Sequence, residues 1–283
     1  MANTNYILNS LFTQKVFREL LETGENKLYQ AAVKQYAKEA HTNLDAIEMV
    51  YKALSKDHRN EYFYLNTLLN KWLIGVHRSV KSTTALTQIP IDNSVADFIL
   101  MNGIAVVYEI KTELDNFDRL NNQISDYYSA FNRVCVVVPE CNFDKASSLL
   151  KNTNVGIYSL TKRVTISQKK RKEPVEDNAA LKHISIFKVL NKKEYENILL
   201  SHFGELPKAK PVFYYDECLK AFSEIPINNA YTLFIDELKK RNNIAKQTLD
   251  EIPKELKALF YFFNSAYRDI EGLHRFLSKT LGG

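Results

Sequence analysis

The sequence predicts an α/β protein in which helices flank a mixed β-sheet. Apolar residues recur at helical spacing in the first part of the chain, short β-rich runs follow, and helical spacing returns near the end. The chain has 283 residues, of which 45% are hydrophobic and 25% charged. This composition is typical of globular proteins, and the length fits one core domain with appended helical segments.

The N-terminal part is expected to be helical. Apolar spacing predicts three helices within residues 9–58, with a turn at Thr23–Asn26 between the first two and a helix start at Asn43. A fourth helix is predicted from about Asn60 to Leu73, ending near Gly75. We therefore assign residues 1–56 to an N-terminal helical segment.

The middle of the chain, residues 57–165, is expected to form the core domain. The dipeptide Asn102-Gly103 is a strong hairpin signal between two β-rich runs. The following elements are predicted: strands Leu86–Ile91, Val95–Met101 and Ile104–Lys111, helix Phe117–Phe131, strand Arg133–Pro139, helix Phe143–Leu150 and strand Val155–Leu160. This order predicts a three-strand meander followed by a right-handed βαβ crossover.

The last third of the chain begins with a charged stretch. Lys169–Lys172 precedes Glu173-Pro174, so we predict an exposed loop or linker over residues 166–182. Helical spacing with many aromatic residues then predicts a C-terminal helical region over residues 183–283.

Composition and charge narrow the function classes. The net charge of +5 and the isoelectric point near 8.8 permit nucleic-acid binding without establishing it. Cys135, Cys141 and Cys218 form no CxxC pair, which argues against a disulfide framework and a zinc–thiolate site. The chain shows no secretory signal at its start and no apolar run long enough to span a bilayer, so we expect a cytoplasmic protein without a membrane partner.

A group of charged residues in the hairpin region carries the chemistry. Glu109 and Lys111 are two residues apart on one predicted strand, so their side chains project to the same face, and the hairpin brings Asp97 near them. Two carboxylates and the backbone carbonyl of Ile110 would suit Mg²⁺ or Mn²⁺. Lys111 could help to deprotonate the attacking water or stabilise charge on a phosphate. The alternative is an ordinary Glu–Lys pair at the rim of the sheet.

The spacing of Asp97 and Glu109-Ile110-Lys111, on a hairpin followed by a helix and an apolar strand, resembles the PD-(D/E)XK nuclease superfamily. Ala96-Asp97 stands where that motif usually has proline-aspartate. The resemblance implies a restriction-endonuclease-like αβββαβ core flanked by N-terminal and C-terminal helices. Residues 57–160 resemble a small bacterial subfamily with an EIK-type motif and a VGIYSL-like final strand.

Further site residues follow from this resemblance or from their position. Gln123 and Tyr127 resemble the Q-x-x-x-Y element of the RecB-like branch, and their i, i+4 spacing puts them on one helix face. The resemblance implies that both bind the nucleic-acid substrate near the metal site; a surface glutamine and a half-buried tyrosine are the alternative. Glu61 matches the additional acidic residue of the helix before the hairpin, although a glutamate at a helix start is also explained by the macrodipole. We include His77 and Arg119 as substrate contacts, with a structural histidine and an exposed arginine as the alternatives.

The leading hypothesis is a Mg²⁺- or Mn²⁺-dependent phosphodiesterase acting on DNA, with Asp97, Glu109 and Lys111 as catalytic residues and defence against foreign DNA as its setting. In this hypothesis Glu61, Asp97, Glu109 and Ile110 hold the metal. The alternative is a nucleic-acid-binding or protein-interaction module with weak or partner-dependent nuclease activity, or an RNase. A homodimer or a partner protein would use the helical flanks.

Overall fold

The structure is a computed structural model that describes residues 4–76, 83–241, 244, 246–263 and 268–281. The chain divides into two compact units. Met1–Val80 and Ile244–Gly283 form the first unit, and Lys81–Asn243 form the second. The expected boundaries near residues 56 and 183 therefore do not coincide with the units. Helices packed together need not be consecutive in the chain, and the last forty residues belong with the N-terminal helices.

The first unit is helical. Its described helices are α1 (Thr4–Leu11), α2 (Gln14–Thr23), α3 (Lys27–Tyr36), α4 (Asn43–Asp57) and α5 (Glu61–Leu68), which continues as a π-helix over Leu69–Val76. The turn predicted between the first helices is confirmed: Gly24 ends α2 in the left-handed conformation at φ 79°, and the Asn26 side chain accepts from the first amides of α3. Thr42 and Asp45 form a capping box at the start of α4.

The C-terminal residues complete this unit. They form α12 (Lys246–Glu251), α13 (Lys257–Tyr261) and α14 (Ile270–Ser278). Asn66 on α5 is 1% exposed, and its amide donates to the carbonyl of Lys254 while its oxygen accepts from the amide of Ala258. A lone bridge between Thr42 and Thr280 joins the start of α4 to the end of the chain. These buried backbone contacts explain why the last residues are part of the first unit.

The second unit contains a six-stranded mixed sheet, which confirms the α/β class. Its strands are β1 (Thr83–Ile91), β2 (Ser94–Asn102), β3 (Ile104–Ile110), β4 (Val134–Pro139), β5 (Gly156–Leu160) and β6 (Ile166–Lys172). They lie in chain order across the sheet. β1, β2 and β3 are antiparallel neighbours, β4 pairs parallel with both β3 and β5, and β6 pairs antiparallel with β5. The predicted meander and the parallel strands that follow it are confirmed.

The prediction of a loop over residues 166–182 is wrong for Ile166–Lys172, which form β6, and is confirmed for residues 173–182, which contain neither helix nor strand. The charged side chains of β6 are accommodated at the edge of the sheet, where lysine is common. The guanidinium of Arg171 lies 4.6 Å from the centre of the Tyr158 ring. The ammonium of Lys172 donates to the carbonyls of Leu150 and Thr153. A run of charges that indicates a loop is therefore compatible with an edge strand here.

Helices of the second unit cover the sheet face that carries Glu109. They are α6 (Leu120–Ala130), α7 (Phe143–Leu149), α8 (His183–Val189), α9 (Lys192–Phe203), α10 (Pro211–Glu224) and α11 (Ile227–Leu238). Their apolar residues pack with Val107, Val136 and Ile157 of the sheet in one buried cluster. The helix α5, expected to belong to the αβββαβ core, lies in the first unit. No helix among the described residues is both long and apolar enough to cross a membrane.

Candidate active site

The candidate site lies where β2 and β3 stop pairing. Their ladder runs from Asn102 opposite Ile104 to Phe98 opposite Tyr108 and ends there, while β2 continues beside β1 to Ser94. Asp97 is the first residue beyond the ladder, and its Oδ2 accepts the backbone amide of Ile110 at 2.8 Å. A side chain thus replaces the main-chain acceptor that a continued ladder would supply, so the strands separate around Asp97.

The backbone beside Asp97 is also distorted on the β1 side. Gln88 has φ 54°, a left-handed conformation that is unfavourable for a residue with a side chain. The neighbouring Thr87 donates through its hydroxyl to the carbonyl of Asp97 at 2.6 Å. Strained residues are concentrated at functional sites more often than elsewhere, which makes this part of the sheet a candidate for function.

Glu109 is the centre of a hydrogen-bond network. It is 2% exposed, and Lys111, two residues later on the same side of the chain, is 9% exposed. The Lys111 ammonium lies 2.8 Å from Glu109 Oε1. Gln123 joins the pair, because its Nε2 donates to Glu109 Oε1 at 2.6 Å and its Oε1 accepts from Lys111 at 2.9 Å. A buried ion pair is tolerated only when its remaining groups are bonded in this way.

Tyr127 completes the network from α6. Its side chain is fully buried, and its hydroxyl lies 2.5 Å from Glu109 Oε2 and 2.9 Å from the carbonyl oxygen of Val95. Burial raises the pKa of Tyr127 far above its usual range, and the negative charges of Glu109 and Asp97 raise it further. The phenol therefore keeps its proton and acts as a donor to one or the other oxygen. The i, i+4 spacing on α6 explains why Gln123 and Tyr127 reach the same glutamate.

The carboxylate oxygens of Asp97 and Glu109 suit a hard divalent cation that takes only a few of its ligands from the protein. Mg²⁺ is commonly held by one or two carboxylates and keeps several waters. Asp97 and Glu109 both lie where the pairing of β2 with β3 ends. Across the part of the chain that the structure describes, no group of three or more His, Cys, Asp or Glu residues is placed to hold a metal. The chain would therefore supply two carboxylates here, with water and substrate completing the coordination.

The remaining predicted residues belong to several parts of the chain. The amide of Ile110 is bonded to Asp97, and its side chain is buried. Arg119 is exposed immediately before α6, four residues ahead of Gln123. Glu61 is the exposed first residue of α5, in the first unit. His77 lies outside the described residues. The structure thus brings together Asp97, Glu109, Lys111, Gln123 and Tyr127.

Two residues that contact the site from the start of β2, Ser94 and Val95, were not predicted from the sequence. The carbonyl of Val95 becomes a partner of Tyr127 because the strands separate, and a main-chain group has no signature of its own. Ser94 donates to Asp126 at 2.6 Å and ties the start of β2 to α6. Asp126 lies between Gln123 and Tyr127 in the sequence. Its charged side chain next to Tyr127 is the sequence signal that could have indicated a contact here.

The sequence model of a family described as Bacteriophage P4 protein cII matches residues 54–258, well over half of the chain. The match includes the whole sheet and every residue of the network around Glu109. Neither a curated protein nor a solved structure matches the chain.

Proposed function

The chain belongs to the bacteriophage P4 protein cII family, and because that description states no activity, we propose a function from the residues themselves. The protein is a metal-dependent nuclease that hydrolyses phosphodiester bonds, with DNA as the favoured substrate. Its reactive residues are Asp97, Glu109 and Lys111.

The burial of the Glu109–Lys111 pair carries this proposal. A Glu–Lys pair at the rim of a sheet would be exposed and would contribute little free energy. Here Glu109 is 2% and Lys111 9% exposed, where two strands separate beside a further carboxylate, Asp97. Placing such charges out of water is costly, so the arrangement is better explained by chemistry than by stability. The PD-(D/E)XK resemblance of these residues supports the same conclusion.

Each residue has a role that its contacts support. A bound Mg²⁺ or Mn²⁺ would supply Lewis acidity and an activated water, with Asp97, Glu109 and the carbonyl of Ile110 as its protein ligands. Lys111 supplies positive charge for the phosphate as negative charge grows on it. Gln123 and Tyr127 orient Glu109 through the hydrogen bonds to its two oxygens. Arg119, near the start of α6, contacts a neighbouring phosphate.

The substitution Asp97→Asn tests the proposal with little risk to the fold. The amide oxygen of asparagine can still accept from Ile110, so the hydrogen bond is kept while the negative charge is removed. The matched control is Asp118→Asn, an exposed carboxylate in the loop before α6. We expect wild type and the control to cut linear and circular DNA with Mg²⁺ or Mn²⁺ and to stop when a chelator is added. The variant Asp97→Asn should be inactive, although its melting temperature should equal that of wild type.

Lys111→Ala is a less clean test of the same site. It leaves the buried carboxylate of Glu109 without its counter-charge, which typically costs about 3–5 kcal/mol. Loss of activity in that variant has meaning only if its fold is shown to be intact. DNA cleavage as fast as that of wild type in both Asp97→Asn and Lys111→Ala would contradict the proposal.

A nucleic-acid-binding or protein-interaction module with weak or partner-dependent catalysis is the second candidate. The observation that favours it is that Glu109 already accepts bonds from Lys111, Gln123 and Tyr127. Its coordination of a metal then requires an exchange of partners, which a partner protein or substrate would have to drive. Binding to DNA or RNA without cleavage by either cation would favour this candidate.

The proposal also covers the cellular location and the partners of the protein. We place the protein in the cytoplasm, where a nuclease of this kind would meet foreign DNA. The helices flanking the sheet are the surface for a second copy or a partner protein. Parallel assays with RNA of the same length separate a ribonuclease, because the site contacts phosphate and has no identified reader of the 2′-hydroxyl.

A further inference from the structure

The turn between β5 and β6 carries two basic residues directly before a residue with a strained backbone, Val164. Leu160 pairs with Ile166 across the base of the turn. At its tip, Val164 has φ 60°, in the left-handed region where a β-branched side chain is unfavourable. The preceding Lys162 and Arg163 are both exposed. Glycine usually occupies the left-handed position of such a hairpin. A valine in this position is unusual, and strained residues of this kind are concentrated at functional sites.

Hydrogen bonds between two threonines hold the strained turn. The amide of Thr161 donates to the carbonyl of Thr165 at 2.8 Å, and the amide of Val164 donates to the carbonyl of Thr161 at 3.0 Å. The two threonine hydroxyls lie 2.8 Å apart, and the Thr165 amide donates to the Thr161 hydroxyl. Lys162 and Arg163 are therefore presented from a turn whose backbone is fixed at both ends.

This turn lies at the same end of the sheet as Glu109 and Lys111, the end at which the parallel strands finish. Strands β3, β4 and β5 are parallel, so their C-terminal ends meet at one edge. Neighbouring strands are about 4.8 Å apart, so β5 lies roughly 10 Å from β3 across the sheet. The turn follows Leu160, two residues beyond Tyr158, the residue of β5 that is level with Ile110 at the end of β3. The intervening loops are connected, because Asn142 donates to the carbonyl of Thr112 and Lys170 donates to the carbonyl of Glu140.

The charge of this segment is of one sign. Residues 161–172 contain six Lys and Arg residues and no Asp or Glu. Lysines on an edge strand are explained by protection against pairing with another chain, and Lys172 and Arg171 have contacts of their own. Lys162 and Arg163 precede the strand, so protection of the sheet edge does not account for their charge.

We infer that Lys162 and Arg163 bind phosphates of the nucleic-acid strand that occupies the Glu109–Lys111 site. This inference rests on the proposed function and adds to it the direction of the strand. A nucleic-acid strand that crosses the sheet from β3 to the turn after β5 covers at least roughly 10 Å, or at least about three nucleotides at about 3.4 Å of rise each. The turn is therefore a phosphate contact outside the reactive centre.

The test is DNA binding by the full chain, measured against salt concentration with a chelator present so that no cleavage occurs. The variant Lys162→Ala/Arg163→Ala is compared with Lys193→Ala/Lys220→Ala, which removes the same charge from exposed positions on α9 and α10. Each phosphate contact contributes about 0.9 to the slope of log affinity against log salt, so the turn variant should lower that slope by about 2. The control should keep it, and Lys162→Arg/Arg163→Lys should bind as wild type does.

Several outcomes overturn the inference. They are a slope equal to that of the control, a wild type that does not bind DNA at low salt, and displacement of DNA by polyglutamate at equal charge, which would assign the turn to an acidic protein. The proposed nuclease function fails separately, if wild type binds DNA but cuts it with neither Mg²⁺ nor Mn²⁺. In that case the salt slope still decides whether the turn contacts phosphate.

Discussion

Replacing Tyr127 by phenylalanine should destabilise the second unit by a predictable amount. The change removes only the hydroxyl, which lies 2.5 Å from Glu109 Oε2 and 2.9 Å from the Val95 carbonyl oxygen. The ring keeps its packing. A hydrogen bond to a charged group contributes about 1.5–3 kcal/mol, so we expect a loss of about 2 kcal/mol. For a unit of this size that corresponds to a fall in melting temperature of about 4–8 °C.

The neighbouring residue gives a matched control. The hydroxyl of Tyr128 is buried and lacks a hydrogen-bond partner among the residues that the structure describes. Tyr128→Phe removes a buried polar group that is not satisfied, so its stability should equal or exceed that of wild type. Urea unfolding of both variants, followed by circular dichroism, measures the difference. If Tyr127→Phe is as stable as Tyr128→Phe, the hydroxyl does not hold Glu109 as described and the reasoning is refuted.

Three further changes in stability follow from the structure. Val164→Gly should raise the free energy of unfolding by about 1 kcal/mol, because glycine adopts the left-handed conformation at φ 60° without strain; a clear loss of stability in urea unfolding would contradict this. Burial raises the pKa of Glu255 above its ordinary value, so its ionisation opposes folding as the pH rises. Glu255→Gln should then be more stable than wild type at pH 7, with the gain absent below about pH 4. Burial also raises the pKa of Tyr51 and of Tyr128 to about 12, so stability should be full below about pH 10 and fall as the pH rises towards 12; stability unchanged to pH 12 would refute it.

The strands that could be predicted are those whose side chains face apolar surroundings. Arg133–Pro139 is an almost continuous apolar run, and β4 is buried along its whole length. The strand β6 has the opposite pattern, with four consecutive basic residues from Lys169 to Lys172. Its formation depends on the ring of Tyr158 and on carbonyls after α7. These are contacts between distant parts of the chain, and periodicity does not record them.

The division into units was the less predictable part of the fold. Helical spacing over residues 183–283 is continuous enough to suggest one region. The structure assigns residues up to Asn243 to the unit with the sheet and those from Ile244 to the unit with the N-terminal helices. Spacing identifies the apolar face of each helix, but it does not identify which other helix covers that face.

Short-range spacing accounts for most of the network at the site. The i, i+2 relation of Glu109 and Lys111 on a strand, and the i, i+4 relation of Gln123 and Tyr127 on a helix, put each pair on one face. What spacing could not provide is the separation of β2 and β3 at Asp97, because it depends on one side chain taking the amide of Ile110. The metal, the substrate and the contribution of Glu61 stay predictions.

The most direct test of the nuclease proposal is the rate at which excess protein cleaves DNA with Mg²⁺ or Mn²⁺. The comparison is wild type against Lys111→Gln, in which the amide can still donate to Glu109 while the positive charge is lost. We predict that wild type cleaves, that a chelator stops it, and that Lys111→Gln is slower by about 10²–10³-fold, the usual effect of removing one electrostatic stabiliser. A wild type that leaves DNA intact with both cations, or a variant that cuts as fast as wild type, would contradict the proposal.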